Sequence, residues 1–346
     1  MMDSLLRTLF LWLARNQWLR RMATRFPLAY RFARRFIAGE TATEALVAVR
    51  ELGAAGILIT LDILGEEVTR REEALVSRDG YLALLDQIGA NGVASDISLK
   101  LTQMGLDIDA EFCVQNVSAI VARAQQMGVL VCIDMEDSPR TERTLEVWRR
   151  IRTQYPNVGI VIQAYLYRSE ADIRALTEAG ATVRLCKGAY KEPVAVAFPQ
   201  KADVDANMIK LMQIMLDATA RMPAGSRPYL AMATHDEKMI QATRAYADRL
   251  QMPRDAFEFQ MLYGIRRDLQ EEIAESGYRV RAYVPFGTHW YPYFMRRLAE
   301  RPANVWFLLR ALIKETPGAS AAVAAIGVML VAVVVWGLTS KKHRCC

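Results

Sequence analysis

Charged and amide residues close several short apolar runs of this 346-residue chain. Asp134 ends Val-Cys-Ile-Asp, Lys100 ends Ile-Ser-Leu-Lys and Gln163 ends Val-Gly-Ile-Val-Ile-Gln. Arg184 and Lys187 interrupt Thr-Val-Arg-Leu-Cys-Lys. Side chains alternate along a strand, so Leu130, Cys132 and Asp134 share a face, as do Thr182, Arg184 and Cys186, and Ser98 with Lys100. An ionised group on such a face must pair or meet a ligand, because leaving it unpaired in apolar surroundings is costly. No metal is expected. The three histidines, 235, 289 and 343, are too scattered for a ligand motif, and no two of the five cysteines have C-x-x-C spacing.

The elements that hold these groups repeat. Short β-branched runs occur at 56–64, 97–104, 129–135, 159–166, 182–187, 229–234, 257–262 and 278–284, bounded by Gly, Pro, Asn or charge. Amphipathic stretches at 111–126, 143–153, 170–179, 204–221, 238–250, 267–275 and 293–313 fall between and after them. Alternation of this kind predicts parallel pairing through right-handed crossovers, and eight units close into a (β/α)8 TIM-like barrel. An open doubly wound sheet is the alternative, but no G-x-G-x-x-G fingerprint is present. Barrel active sites sit at strand C-terminal ends. Here those ends read Asp62, Lys100, Asp134, Gln163, Arg184 with Lys187, His235, Gln260 and Tyr283.

The two termini differ from this body. Residues 1–39 carry eight arginines against one acid, Asp3, a net +7 within a chain total of +6. Everything after them is therefore close to neutral, with no basic face for nucleic acid. Leu5, Leu6, Leu9, Phe10 and Leu13 fall at helical spacing among the arginines, as in a helix lying on an anionic membrane. Residues 319–338 carry no charge and are long enough to span a bilayer as a helix, with Lys341, Lys342 and Arg344 beyond. The expected organisation is a basic helical arm over 1–52, a barrel over 53–315 and a transmembrane tail over 319–338. That tail predicts an enzyme anchored on the cytoplasmic face of the inner membrane. The Arg-rich, acid-poor start also resembles a mitochondrial presequence, so the mitochondrial inner membrane is the alternative.

VCIDMEDS at 131–138, RLCKGAYKEP at 184–193, ATHD at 233–236, FEFQMLYG at 257–264 and YPYFMRRLAER at 291–301 together resemble proline dehydrogenase, in its short monofunctional bacterial form. The resemblance runs from about Gly53 to Arg310. It implies a distorted (β/α)8 barrel that holds FAD. Such an enzyme oxidises L-proline to Δ1-pyrroline-5-carboxylate, the first step of degradation to glutamate, and passes the electrons to membrane quinone. No aldehyde dehydrogenase domain is legible, so a separate pyrroline-5-carboxylate/glutamate-semialdehyde dehydrogenase is the expected downstream partner. The segment between Tyr283 and Tyr293 looks about two residues shorter than in the long bifunctional enzymes.

Site roles follow from that likeness. Proline's carboxylate calls for planar donors, which Arg296 and Arg297 supply from adjacent helical positions, with Lys100 as a third cation. Glu300, four residues on, is placed to orient Arg296. Tyr283 and Tyr293 offer ring faces to the pyrrolidine. Asp134 is the counter-charge and aligns the substrate amine. Arg184 lies near the flavin N5, while Met135, Gln163, Lys187, Gly188, Ala189, Thr234 and His235 contact the cofactor. No His or Cys stands in a flavin-attachment motif, so the FAD is expected to be non-covalent. The loop 191–203 is expected to be a lid. Two other functions are weighed: a Schiff-base barrel lyase using Lys100 or Lys187, and a non-catalytic membrane-recruited barrel. The first accounts for neither the double arginine nor Gln163 with His235, and against the second no matched motif residue looks lost.

Overall fold

All eight apolar runs form strands. In this computed structural model, which describes residues 13, 30, 33–223 and 229–300, helix α1 (Ala42–Ala54) leads into β1 (Leu58–Ile63) and α2 (Arg71–Ala90). Next come β2 (Asp96–Lys100), α3 (Ala110–Gln126), β3 (Val131–Asp134), a 3-10 turn (Ser138–Arg140) and α4 (Thr141–Arg152). β4 (Val158–Gln163), α5 (Ser169–Glu178), β5 (Thr182–Cys186), α6 (Lys201–Arg221) and β6 (Tyr229–Ala233) continue the alternation. It ends with α7 (Glu237–Arg249), β7 (Phe257–Leu262), α8 (Arg267–Glu275), β8 (Arg279–Phe286) and α9 (Trp290–Glu300). The strands lie in chain order and close, all parallel, with β8 against β1 in a register that sets Tyr283 opposite Thr60. The expected (β/α)8 barrel is the fold.

Strand parity sorts the side chains. Leu61, Leu99, Ile133, Ile160, Leu185, Phe259 and Val284 face the helices, where Tyr81, Leu84, Val117, Trp148, Met212 and Ile273 meet them in one continuous core. The opposite parity points into the barrel. Bonds between strands that are not neighbours, Arg184 of β5 to Ser98 of β2 and Tyr283 of β8 to Asp134 of β3, can only cross that interior. Branched apolar residues usually fill such a lumen. This one carries Asp62, Asp96, Lys100, Asp134, Arg184, Glu258 and Arg281 instead.

Among the described residues, three helix starts carry side-chain caps. Thr41 and Glu44 form a reciprocal capping box on α1, and Asp109 accepts from the Phe112 amide at α3. Asp236 caps α7 through the Lys238 amide. Several elements differ from expectation: β4 stops at Gln163 instead of Leu166, and β8 runs on to Phe286. The second strand stops at Lys100 rather than at Met104, because a turn with Gly105 at φ +93° bends 101–106 back on itself. The β1–β2 crossover is a 20-residue helix whose apolar stripe is too diluted by Gly80 and charge to be marked in the sequence.

The chain forms two compact units, Ile37–Thr288 and the pair of terminal segments Met1–Phe36 with His289–Cys346. Helix α1 belongs to the first and packs on β1 and β8. In the second, α9 sets Trp290 against Tyr30 and Phe294 against Phe36, with ring centroids 5.8 and 6.0 Å apart. Among the described residues no helix is long and apolar enough to cross a membrane. The stretch 319–338 and all of the amphipathic 5–13 segment except Leu13 lie outside them.

Candidate active site

Asp134 is the centre of the barrel mouth. Its Oδ1 accepts from Arg184 Nη1 and from Ser98 Oγ, both at 2.7 Å. Its Oδ2 accepts from the Tyr283 hydroxyl at 3.0 Å and from Lys100 Nζ at 3.3 Å. Four strands, β2, β3, β5 and β8, thus converge on one carboxylate. Burial pushes that carboxyl up, but Lys100 and Arg184, with the hydrogen bonds from Ser98 and Tyr283, hold it below its ordinary value. Tyr283 stays protonated, since burial and then Asp134 raise its hydroxyl far above its usual range. The Arg184 guanidinium lies 5.2 Å from the centre of the Tyr283 ring.

A second carboxyl shares Lys100. Asp62 is 1% exposed and its Oδ2 lies 3.5 Å from Lys100 Nζ, while its Oδ1 accepts from Tyr81 at 3.2 Å. Burial raises the Asp62 carboxyl, and Lys100 only partly opposes it. Lys100 itself is held above its ordinary value: burial works against its charge, and the two carboxylates overcome it. It is therefore a fixed ammonium.

On the other side of the mouth, β4, β5 and β6 are consecutive neighbours. Gln163 is buried, donates from Nε2 to the Glu136 carbonyl at 2.8 Å and accepts from the Ala189 amide at 3.4 Å. Met135 is buried beside this layer of strand ends. Lys187 is bound by Asp205 at 2.5 Å and by Asp236 at 2.7 Å. It offers a bound anion a donor rather than net charge. Gly188 has φ +119°, and a Cβ there would lie 2.5 Å from the Tyr165 ring, so both backbone and packing demand glycine. Thr234 accepts from the Asp236 amide, and His235 Nε2 accepts from the Leu262 amide at 3.0 Å. That bond places the imidazole's acceptor nitrogen on the backbone.

The loop expected to be a lid is held by several contacts in this structure. Glu192 accepts from the Ser138 amide at 2.7 Å and its hydroxyl at 2.5 Å, Ala197 bridges to Leu166, and residues from Lys201 onward belong to α6. Tyr293, Arg296 and Arg297 lie on α9, where the Arg297 guanidinium sits 4.9 Å from the Tyr293 ring centre, four residues back. The three described cysteines are free thiols held protonated by burial. Burial pushes Cys132 up to about 11 and Cys113 and Cys186 up to about 12.

The proline dehydrogenase family profile matches residues 45–310. The chain belongs to the proline dehydrogenase family. It is 42% identical over 314 residues to proline dehydrogenase 1 of Bacillus subtilis, covering 90% of this chain and 100% of that one. To the proline dehydrogenase of Deinococcus radiodurans it is 38% identical, covering 91% of this chain and 100% of that one. Among solved structures, proline utilization A from Bdellovibrio bacteriovorus, inactivated by N-propargylglycine, superposes with a TM-score of 0.73 at 28% identity. That match covers 84% of this chain but 35% of the larger protein. The fold and family place it among the oxidoreductases that act on proline.

Several side chains of the site carried no assigned role in the sequence. The sequence marks Ser98 only as sharing a face with Lys100, Tyr81 lies on a helix that it does not mark, and Asp62 and Gln260 are legible only as strand ends. Parity on β7 and β8 was the available signal: Glu258 with Gln260 and Arg281 with Tyr283 put two polar residues on one inward face each.

Proposed function

We propose that the protein is an FAD-dependent proline dehydrogenase that oxidises L-proline to Δ1-pyrroline-5-carboxylate. The observation that carries this is Asp134 with Lys100, Arg184 and Tyr283 bound to one carboxylate at the mouth of a barrel of this family. The donor set fits a flavin. Three adjacent strands offer an amide at Gln163, a buried guanidinium at Arg184, a lysine at Lys187 and the Thr234–His235 strand end, facing the side where Asp62 and Lys100 stand. Bound FAD supplies the acceptor for the two electrons and hydrogen leaving the carbon next to the proline nitrogen.

The chain's own residues then have distinct tasks. Arg184 presents positive charge where negative charge builds up on the cofactor edge. Asp134 balances Lys100 and Arg184 and accepts from the substrate amine. Lys100, Arg296 and Arg297 take the carboxylate, and Tyr283 and Tyr293 bound the ring. Gln163, Met135, Lys187, Gly188, Ala189, Thr234 and His235 hold the cofactor. A Schiff-base reaction at Lys100 is disfavoured, because two carboxylates keep its amine protonated and non-nucleophilic.

Of the basic arm expected over 1–52, the part from Ile37 onward belongs to the barrel unit; we assign the part before it, and an anchoring helix over 319–338, to the membrane. They bring the enzyme to the lipid bilayer on the cytoplasmic face, where quinone accepts the electrons. The product passes to a separate dehydrogenase. The deciding experiment is optical. Purified protein is expected to be yellow and to lose its flavin band when proline is added without oxygen. Acid precipitation is expected to release that colour into the supernatant. A colourless protein, or a band that proline leaves intact, overturns the reading.

A further inference from the structure

Beneath Arg184 the barrel holds a second set of charges that the reaction does not use. Gln260 accepts from Arg184 Nε through Oε1 at 2.5 Å, and its Nε2 donates to Glu258 Oε1, also at 2.5 Å. Glu258 is held in turn by Arg281, which donates from Nε at 2.7 Å and from Nη2 at 3.1 Å. Arg281 pairs with Asp96 at 2.6 Å and donates to the Ile59 carbonyl, and Asp96 accepts from the Leu130 amide at 3.0 Å. Glu258 is 3% exposed and Gln260 8%. Filling a lumen does not require this, since apolar side chains fill most barrels and a buried ion pair seldom stabilises more than well-packed apolar residues.

What the chain of bonds does settle is an orientation. The two ends of a glutamine amide are nearly the same shape, and only their partners decide which end points where. A carboxylate accepts and cannot donate. Glu258 therefore turns Nε2 of Gln260 toward itself and leaves Oε1 facing Arg184. A space of about 90 Å³, lined also by Thr60, Cys132 and Tyr229, adjoins these side chains, so packing alone does not hold the amide. With Nε engaged from below and Nη1 bound to Asp134 and Ser98, the guanidinium has one plane left to it.

We propose that Glu258 is a positioning residue: acting through the amide of Gln260, it sets the plane in which Arg184 presents its charge at the barrel mouth. The consequence for hydride transfer rests on the proposed function, in which Arg184 faces the flavin. The bond geometry at Arg184 does not rest on it.

Three variants test the relay: Glu258→Gln, Glu258→Asp and Gln260→Met. Glu258→Gln replaces the obligate acceptor that holds Gln260 Nε2, so the amide that engages Arg184 Nε is less firmly oriented. It is expected to slow flavin reduction at saturating proline about tenfold, the effect of one lost charge-assisted hydrogen bond. Proline affinity is expected to stay within about twofold, and the flavin midpoint potential to shift. Glu258→Asp keeps the acceptor and is expected to restore most of the rate. Gln260→Met is expected to match Glu258→Gln, and adding Glu258→Gln to it to change the rate no further. The Arg184 Nε–H resonance of the arginine-labelled protein gives a reading that does not depend on turnover. Its hydrogen exchange is expected to speed up in Glu258→Gln and in Gln260→Met. If Glu258→Gln does not fold, Gln260→Met alone decides. A wild-type rate and exchange in either variant overturns the proposal whatever happens to stability, and so does additivity in the double variant. If wild-type protein fails to bleach with proline while the exchange results hold, the functional reading falls and the relay stands.

Discussion

Asp134 and Asp62 flank one ammonium yet titrate in opposite directions. Asp134, lowered beneath 3.8 by its cations, contributes stability that is full above about pH 4 and is lost as pH falls through its folded value. Asp62 is raised above 3.8, so its ionised form costs stability above the raised value, and the cost fades as pH falls through it. Asp62→Asn is therefore expected to gain on the wild type as pH rises, by about 1.4 kcal/mol for each unit between 3.8 and the raised value. Thermal unfolding of both proteins from pH 3.5 to 8 measures this, and a difference that stays flat with pH counts against it. At the substrate's other end, Arg296→Met or Arg297→Met is expected to raise KM for proline by the equivalent of roughly 2–5 kcal/mol. FAD content should fall less. Steady-state kinetics with flavin quantification checks this, and unchanged KM in both variants removes these arginines from the site.

The strand ends are held in place by the loops that follow them. The β5 end is the clearest instance. Gly188 lets the chain turn under Tyr165, Gln163 ties Ala189 to the next strand over, and Glu192 pins the descending loop to Ser138. Gly188→Ala adds a Cβ 2.5 Å from a ring carbon at a φ of +119°, and is expected to cost about 1–3 kcal/mol. Gly128→Ala is the comparison: its φ of +67° also strains a side chain, but nothing lies within 4 Å of the added Cβ. Urea midpoints should place Gly188→Ala clearly below Gly128→Ala, and equal midpoints would mean that the Tyr165 contact is unimportant.

For the whole molecule, the proposed route of electrons to quinone makes the termini matter. An anchored enzyme would keep its barrel at the bilayer, and the uncharged stretch 319–338 is the segment we propose for that role. Full-length protein is expected in the membrane fraction, resistant to high salt and released by detergent. Chain ended after Glu315 is expected to be yellow and to reduce soluble dyes with proline, but to transfer far less to quinone in vesicles. Full-length protein that washes off with salt, or quinone activity unaffected by the truncation, would remove the span from the proposal.

The sequence alone determined the barrel, because eight β-branched runs separated by amphipathic stretches leave few ways to bury their faces, and all eight became strands. It also determined which polar groups point inward on β2, β3 and β5, since a strand's period of two allows no choice once the apolar face is known. Asp134, Lys100 and Arg184 were legible on that ground. What only the tertiary structure decided is who meets whom across the lumen. Ser98, Tyr81, Glu258 and Gln260 come from strands and a helix far apart in the chain, and nothing local distinguishes a polar residue that faces an ion from one that faces water. The opposite titration of Asp62 and Asp134 arises the same way: it depends on how many cations each meets and how little water reaches it, and both are properties of the closed barrel.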